Sequence, residues 1–414
     1  MLKTRRWFGC FLSKIIMPAQ WQFPKDPNFL PGEKKLIGGV LSKRHIDSTR
    51  EAKVALFEIH PQHTTRSSRV ILHGFGNADC VENHIDELSA THQNLFPEAI
   101  VSGMNFRNVN SSGPAKVFSE EDWVDDVIAV VNYYREQGIR LKNILLSGHS
   151  LSGAIFTMAA AQIYQTELQK RRQSATPALT ETDHRQCSPS LFNNRSFSTL
   201  AEVLIAMVAS KWSIASNTGV GIGVLLLGCG LAMWVMSATT ALLTGGLLIA
   251  FNILFPEFRG VLLRPLLNTL LWLGFGQMDA LTAYRMLPDG AKDYIMAKDD
   301  GVILQPASLH QGFKRERRAQ KQSLKEAIAR TREPSLLATL KARLEEFSEV
   351  KVRYGAEVAS TLEVKPSLEA HCEPLSQLHR YCKMKLQNAT FFRNSSISGE
   401  DLLVKKSKKM LGLS

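Results

Sequence analysis

Residues Asn143 to Gly153 read Asn-Ile-Leu-Leu-Ser-Gly-His-Ser-Leu-Ser-Gly. The segment opens as a strand by composition, and from Leu151 to about Leu168 it continues as a helix whose first half is rich in small residues. Ser150 stands at the junction. A serine hydroxyl is a weak nucleophile, and a strand-turn-helix junction lifts it out of the chain, where a base reaches it and the helix N-terminus favours a developing anion. Such a turn is tight and needs small neighbours, here Gly148 before the serine and Ser152 and Gly153 after it. Position carries this reading, because the bare Gly-x-Ser pattern recurs at Gly412-Leu413-Ser414, in a tail where no chemistry is expected.

Outward from this junction, Leu36 to Ala160 alternates strand and helix. Val54–Ile59, Arg69–Leu72 and Ala99–Met104 are short apolar runs, the second stopping at His73-Gly74 and the third giving way to the turn-rich Asn105–Pro114. Trp123, Val124, Val127, Ile128, Val131 and Tyr134 follow helical spacing, behind the capped acidic start Ser119-Glu120-Glu121-Asp122. The alternation predicts an α/β fold, with a mostly parallel sheet flanked by helices. Lys170–Pro189 reads as a linker or surface loop, Tyr294–Ile303 as a strand with an acidic turn inside it, and Pro265–Met278 as a core or interfacial helix too short to span a bilayer.

Mean hydropathy, −0.08, is that of an ordinary soluble protein. The average conceals its distribution: Trp212–Pro256 holds no Asp, Glu, Lys, Arg or His in 45 consecutive positions. A break at Ser237–Thr240 leaves two halves near the lower limit for spanning, about 17 residues each. Lys211 at one end and Arg259 and Arg264 at the other suit a two-helix membrane hairpin with both ends on the cytoplasmic side. The rival reading is a hydrophobic cap. Fifty Lys and Arg against 38 Asp and Glu give a net charge of +12, which an anionic membrane surface explains better than nucleic acid, since no nucleic-acid-binding signature accompanies it. Phe313–Arg353, with 12 basic and 6 acidic residues, reads as a basic helical hairpin turning at Pro334. Cys10, Cys80, Cys187, Cys229, Cys372 and Cys382 lack the spacing of a disulfide framework or zinc site, and no cofactor or metal is implied.

The segments so defined are 1–35, a basic and apolar N-terminal stretch; 36–206, the first part of the core; 207–278, the hydrophobic insertion; 279–387, the rest of the core with its basic insertion 313–353; and 388–414, a flexible tail.

Taken together, His73-Gly74-Phe75-Gly76-Asn77 closing a strand and the Ser150 turn resemble the α/β-hydrolase superfamily, which pairs a His-Gly loop with a nucleophile elbow. Ser152 departs from the pattern, standing where the second elbow glycine is usual. The resemblance implies backbone N–H groups of Phe75 and Leu151 as the oxyanion donors and the chain order Ser, acid, His for a triad. Asp300 is then the preferred acid and Asp299 the alternative; His371 is the preferred base, with His379 next and His310 too soon after the acid. His73, His84 and His149 fit loops around the elbow better than the role of base. The activity implied is serine hydrolysis of a lipid ester or acyl thioester, the apolar insertion favouring a fatty acyl group. From a different class, a catalytically silent membrane scaffold fits the same residues. Leu191–Ser198 and the Asn105-Phe106-Arg107-Asn108-Val109 motif, with the insertion, are similar to α/β-hydrolase-like proteins of intracellular bacteria, some delivered into host cells by type IV secretion, and the tail Gly399–Ser414 is compatible with such export.

Overall fold

The computed structural model describes most of residues 34–209 and 275–349, the strand Ala356–Val358 and a few isolated positions. The hydrophobic insertion from 210 to 267, Asp299, and all of 359–414, including His371, His379 and the tail, lie outside the described residues.

β-Branched and apolar runs form β1 (Lys34–Leu36), β2 (Gly39–Asp47), β3 (Lys53–Pro61), β4 (Val70–Gly74), β5 (Ile100–Asn105), β6 (Ile144–His149), β7 (Ser190–Asn194), β8 (Lys292–Ala297) and β9 (Ala356–Val358). They join one sheet in the order β1-β2-β3-β5-β4-β6-β7-β8-β9. The first three pairings are antiparallel and the remaining five parallel, so the predicted parallel alternation holds from β5 to β9 and carries an antiparallel hairpin on one side. Strands β4 to β7 are buried along most of their length, as expected where helices cover both faces.

Helices α1 (Ile85–Leu95), α2 (Glu120–Glu136), α3 (Leu151–Ser174), α4 (Glu181–Gln186), α5 (Leu200–Ala209), α6 (Ala280–Met286), α7 (Leu309–Arg330) and α8 (Pro334–Glu349) complete the described fold. α2 begins as its sequence predicts, with Ser119 and Asp122 forming a reciprocal capping box. Its apolar stripe buries Trp123, Val127, Val130, Val131 and Tyr134. Asp122 and Asp126 on the same helix are also buried, because Arg107 meets them: Asp126 accepts from the Arg107 side chain at 2.7 and 2.9 Å and from its backbone N–H at 2.9 Å, and Asp122 accepts at 3.1 Å. The arginine of the Asn-Phe-Arg-Asn-Val motif is therefore a structural bolt between the loop after β5 and α2.

Three sequence expectations are corrected. Lys170–Pro189 is not a plain linker: α3 runs on to Ser174, and Thr180 with Asp183 forms a capping box that starts α4. The strand expected over Tyr294–Ile303 starts at Lys292 and ends at Ala297; Asp300 comes after it, where its carboxylate turns back to accept from the Ile303 N–H at 2.7 Å. The basic hairpin is present but begins earlier, at Leu309, with Ser308 accepting from the Gln311 N–H as its cap. Among the described residues no helix is long and apolar enough to cross a membrane, and none of the Trp212–Pro256 hairpin falls among them.

Candidate active site

Strand order places one crevice in the sheet. From β4 the chain crosses to β5 on one side, then returns past β4 to β6 on the other, so the crossovers diverge between β4 and β6. In open α/β sheets such a switch point, at the carboxyl ends of the strands, is where ligands bind. β4 ends in His73-Gly74, Gly74 pairs with Gly148, and Ser150 follows one residue beyond β6. The two sequence motifs thus lie side by side.

Ser150 has φ +56°, the left-handed region, which costs a non-glycine residue roughly 1–2 kcal/mol. The surrounding structure enforces it. The Ser150 N–H donates to the carbonyl of Asn194 at the end of β7 (2.9 Å), and the Ser150 carbonyl accepts from the Gly153 N–H (3.1 Å) as α3 begins. A Cβ at Gly148 would stand 2.6 Å from the Ser152 carbonyl oxygen and 2.7 Å from Gly153 Cα; one at Gly153 would stand 2.9 Å from the Gly148 carbonyl oxygen and from Ser196 Cβ. Both sites therefore exclude a side chain. Gly148→Ala is expected to lower unfolding free energy by about 1–3 kcal/mol, because backbone on both sides must move. Denaturant titration checks this, and an unchanged midpoint would contradict the tight turn.

The departure at Ser152 has a local explanation. A Cβ at Gly74 would stand 2.7 Å from Ser152 Cβ, so the missing side chain on β4 makes room for the serine on α3. The Ser152 hydroxyl donates to the Phe75 carbonyl, tying the loop after β4 to the elbow. The elbow gains a hydrogen bond that glycine could not make. Leu151, the first residue of α3, is buried beside it.

Ser150 itself is buried, and among the described residues no side chain hydrogen-bonds its hydroxyl. Asp300 is buried and lies beyond β8, two strands from β6; Ile295 of β8 aligns with Asn194 of β7, and Asn194 with His149. Asp300 therefore follows the carboxyl end of β8 as Ser150 follows that of β6. Asp299, His371 and His379 lie outside the described residues. His310 is occupied elsewhere: it is the second residue of α7 and its Nδ1 contacts the Tyr294 hydroxyl at 2.7 Å. Cys80 offers no rival nucleophile nearby, since burial, reinforced by Glu82, raises its thiol to about 11. Among the described residues no group of His, Cys, Asp and Glu could hold a metal ion.

The sequence sets His84 in a loop around the elbow, and the structure adds its partners. Phe75 stacks on His84, ring centroids 4.1 Å apart and planes 10° apart. His84 bridges Asp79 (2.5 Å) and Glu87 (2.8 Å). Its spacing from those acids, five residues after one and three before the other, was the available signal. His73 is pushed down to about 4, by burial first and by the nearby His84 cation, with Glu87 opposing; it is neutral at pH 7.

Sheet order, serine turn and adjoining loop define a mostly parallel α/β protein with a serine elbow at its switch point. No protein-family model and no curated protein matches the chain. Among solved structures it is similar to an α/β hydrolase from Vibrio vulnificus, at 13% identity over 87% of this chain and 88% of that one, with a TM-score of 0.41. It is also similar to an esterase from Pyrococcus furiosus, at 9% identity over 87% and 95%, TM-score 0.41. A post-proline cleaving enzyme from Rickettsia typhi shares 13% identity over 40% of this chain, TM-score 0.29. The chain spans 22% of the length of that enzyme. At such distances the functional reading rests on the site's own geometry.

Proposed function

We propose that the chain is a serine hydrolase of the α/β-hydrolase type, cleaving carboxylic esters or thioesters through an acyl-enzyme. One observation carries it: a serine held at positive φ between β6 and α3, at the switch point and against the Gly74-Phe75 loop. Backbone strain of this kind persists where the fold overdetermines it, and it gathers at functional positions.

In the proposed reaction His371 takes the Ser150 hydroxyl proton as Oγ attacks the acyl carbonyl. The Phe75 and Leu151 N–H groups receive the oxyanion, and Asp300 orients the imidazole and stabilises its protonated form. Collapse expels the alcohol or thiol, which takes the proton from the imidazolium; water, deprotonated by the same imidazole, then releases the acid and restores Ser150. The length of the charge-free run Trp212–Pro256 supports a lipid or acylated substrate and a membrane-associated enzyme, with the catalytic core on the side of Lys211 and Arg264.

The test is hydrolysis of p-nitrophenyl esters from acetyl to palmitoyl by the full chain, with and without anionic vesicles. We expect turnover that rises with chain length and with vesicles, and that falls about 10³-fold or more in His371→Ala and Asp300→Asn. Absence of turnover on every ester would reject the hydrolase reading and favour a binding scaffold. Turnover confined to acetyl ester would reject the fatty acyl group alone.

A further inference from the structure

The cluster of Asp79, His84 and Glu87 beside the elbow has no part in the proposed proton transfers, and its geometry forbids one. His84 Nε2 meets Asp79 Oδ2 at 2.5 Å and Nδ1 meets Glu87 Oε2 at 2.8 Å, so both ring nitrogens face carboxylates. Only the imidazolium can donate at both positions, and a ring so occupied has no free lone pair with which to act as a base. Asp79 is itself fixed, its Oδ1 accepting from the Cys80 N–H at 2.8 Å and from Asn83 Nδ2 at 2.9 Å. The imidazolium is therefore anchored to the start of α1 and to the loop before it, and it lies flat on the Phe75 ring. A cation against an aromatic face is attracted by the ring quadrupole.

We propose that His84 is a positioning residue for oxyanion stabilisation: its doubly paired imidazolium fixes the Phe75 ring, and with it the peptide whose N–H faces the reacting oxygen. This rests on the serine hydrolase reading. The Phe75 segment is then held at two points, through its carbonyl by the Ser152 hydroxyl and through its ring by His84. The loop between them contains Gly76 and cannot hold this geometry by its own stiffness.

The charged and titratable groups facing His84 are Asp79 from the loop, Glu87 from α1 and His73 from the end of β4. Burial alone would lower the His84 pKa, but the hydrogen bonds to Asp79 and Glu87 outweigh it and raise the pKa to about 9. His73 stays neutral across the working range. The device thus remains charged at neutral pH and is lost only in alkali.

The test is the second-order rate of Ser150 acylation by a fluorophosphonate, measured on the full chain from pH 6 to 10.5. For the wild type we expect a decline above about pH 9, where His84 loses its proton. His84→Phe keeps a stacked ring but no charge; it is expected to acylate about tenfold more slowly at pH 7.5 and to lack the alkaline decline. Glu87→Gln, at a largely exposed carboxylate, leaves the fold intact, and it should move the decline to lower pH. Wild-type rate and an unchanged alkaline limb in both variants would overturn the positioning role while leaving the nucleophile in place. No acylation of the wild type would remove the hydrolase reading and this proposal together.

Discussion

Ser150→Ala is expected to reduce ester turnover by about 10⁴-fold or more while leaving the fold as stable as the wild type. The two readouts separate because Ser150 contributes little to the described core: among the described residues its hydroxyl holds no hydrogen bond, and its backbone stands at φ +56°. Ser150→Gly sharpens the point. Glycine relieves roughly 1–2 kcal/mol of left-handed strain and loses roughly 0.5–1 kcal/mol to its freer unfolded chain, so this variant should be at least as stable as the wild type and equally inactive. Stability is read by chemical denaturation and activity on a short activated ester. A large stability loss in both variants would mean that the serine is a packing element, and the strain would then have no functional explanation.

Asp126→Ala is expected to have the largest effect on folding, about 3–5 kcal/mol. Arg107 and Asp126 are both completely buried, and the guanidinium is further bound by Asp122, Ser48 and Thr49. Deleting one carboxylate leaves a buried cation undercompensated, which costs more than the pair itself contributes. The double variant Arg107→Met with Asp126→Leu should recover most of the loss, since apolar residues of similar volume often replace a buried pair without penalty. The surface pair of Lys170 and Glu167, whose lysine is exposed, is the control, with less than about 1 kcal/mol expected for Lys170→Ala. Urea unfolding of the three variants decides the matter; equal losses for Asp126→Ala and the surface pair would contradict the bolt between α2 and the loop after β5.

How much of this was legible in the sequence follows from the range of the interactions. α2 could be read because its capping box and apolar spacing are local, and the elbow because small residues, a serine and a helix stand in one ten-residue segment. The antiparallel start of the sheet was not legible, since nothing in Val54–Ile59 states that it pairs with β2 and β5 in that sense. Arg107 stands in a motif similar to one of α/β-hydrolase-like proteins, and only the fold reveals two aspartates of α2 waiting for it. Tyr294–Ile303 was read too long because the apolar Val302 and Ile303 look like a continuation of Tyr294–Ala297, yet the strand ends at Ala297 and the Asp300 carboxylate accepts from the Ile303 N–H. The long α3 was cut short because its last turns are polar and exposed, and helix formers there compete with the look of a linker. Ser152 was read as a weakening of the motif, whereas its hydroxyl and the bare face of Gly74 make it a second tie between loop and elbow.

The central claim, that Ser150 is the acyl-accepting nucleophile, is tested most directly by peptide mass spectrometry of the full chain after reaction with a fluorophosphonate. The geometry predicts one adduct, on the peptide carrying Gly148-His149-Ser150, and none at that position in Ser150→Ala. An adduct on another residue, or equal labelling of wild type and Ser150→Ala, would contradict it.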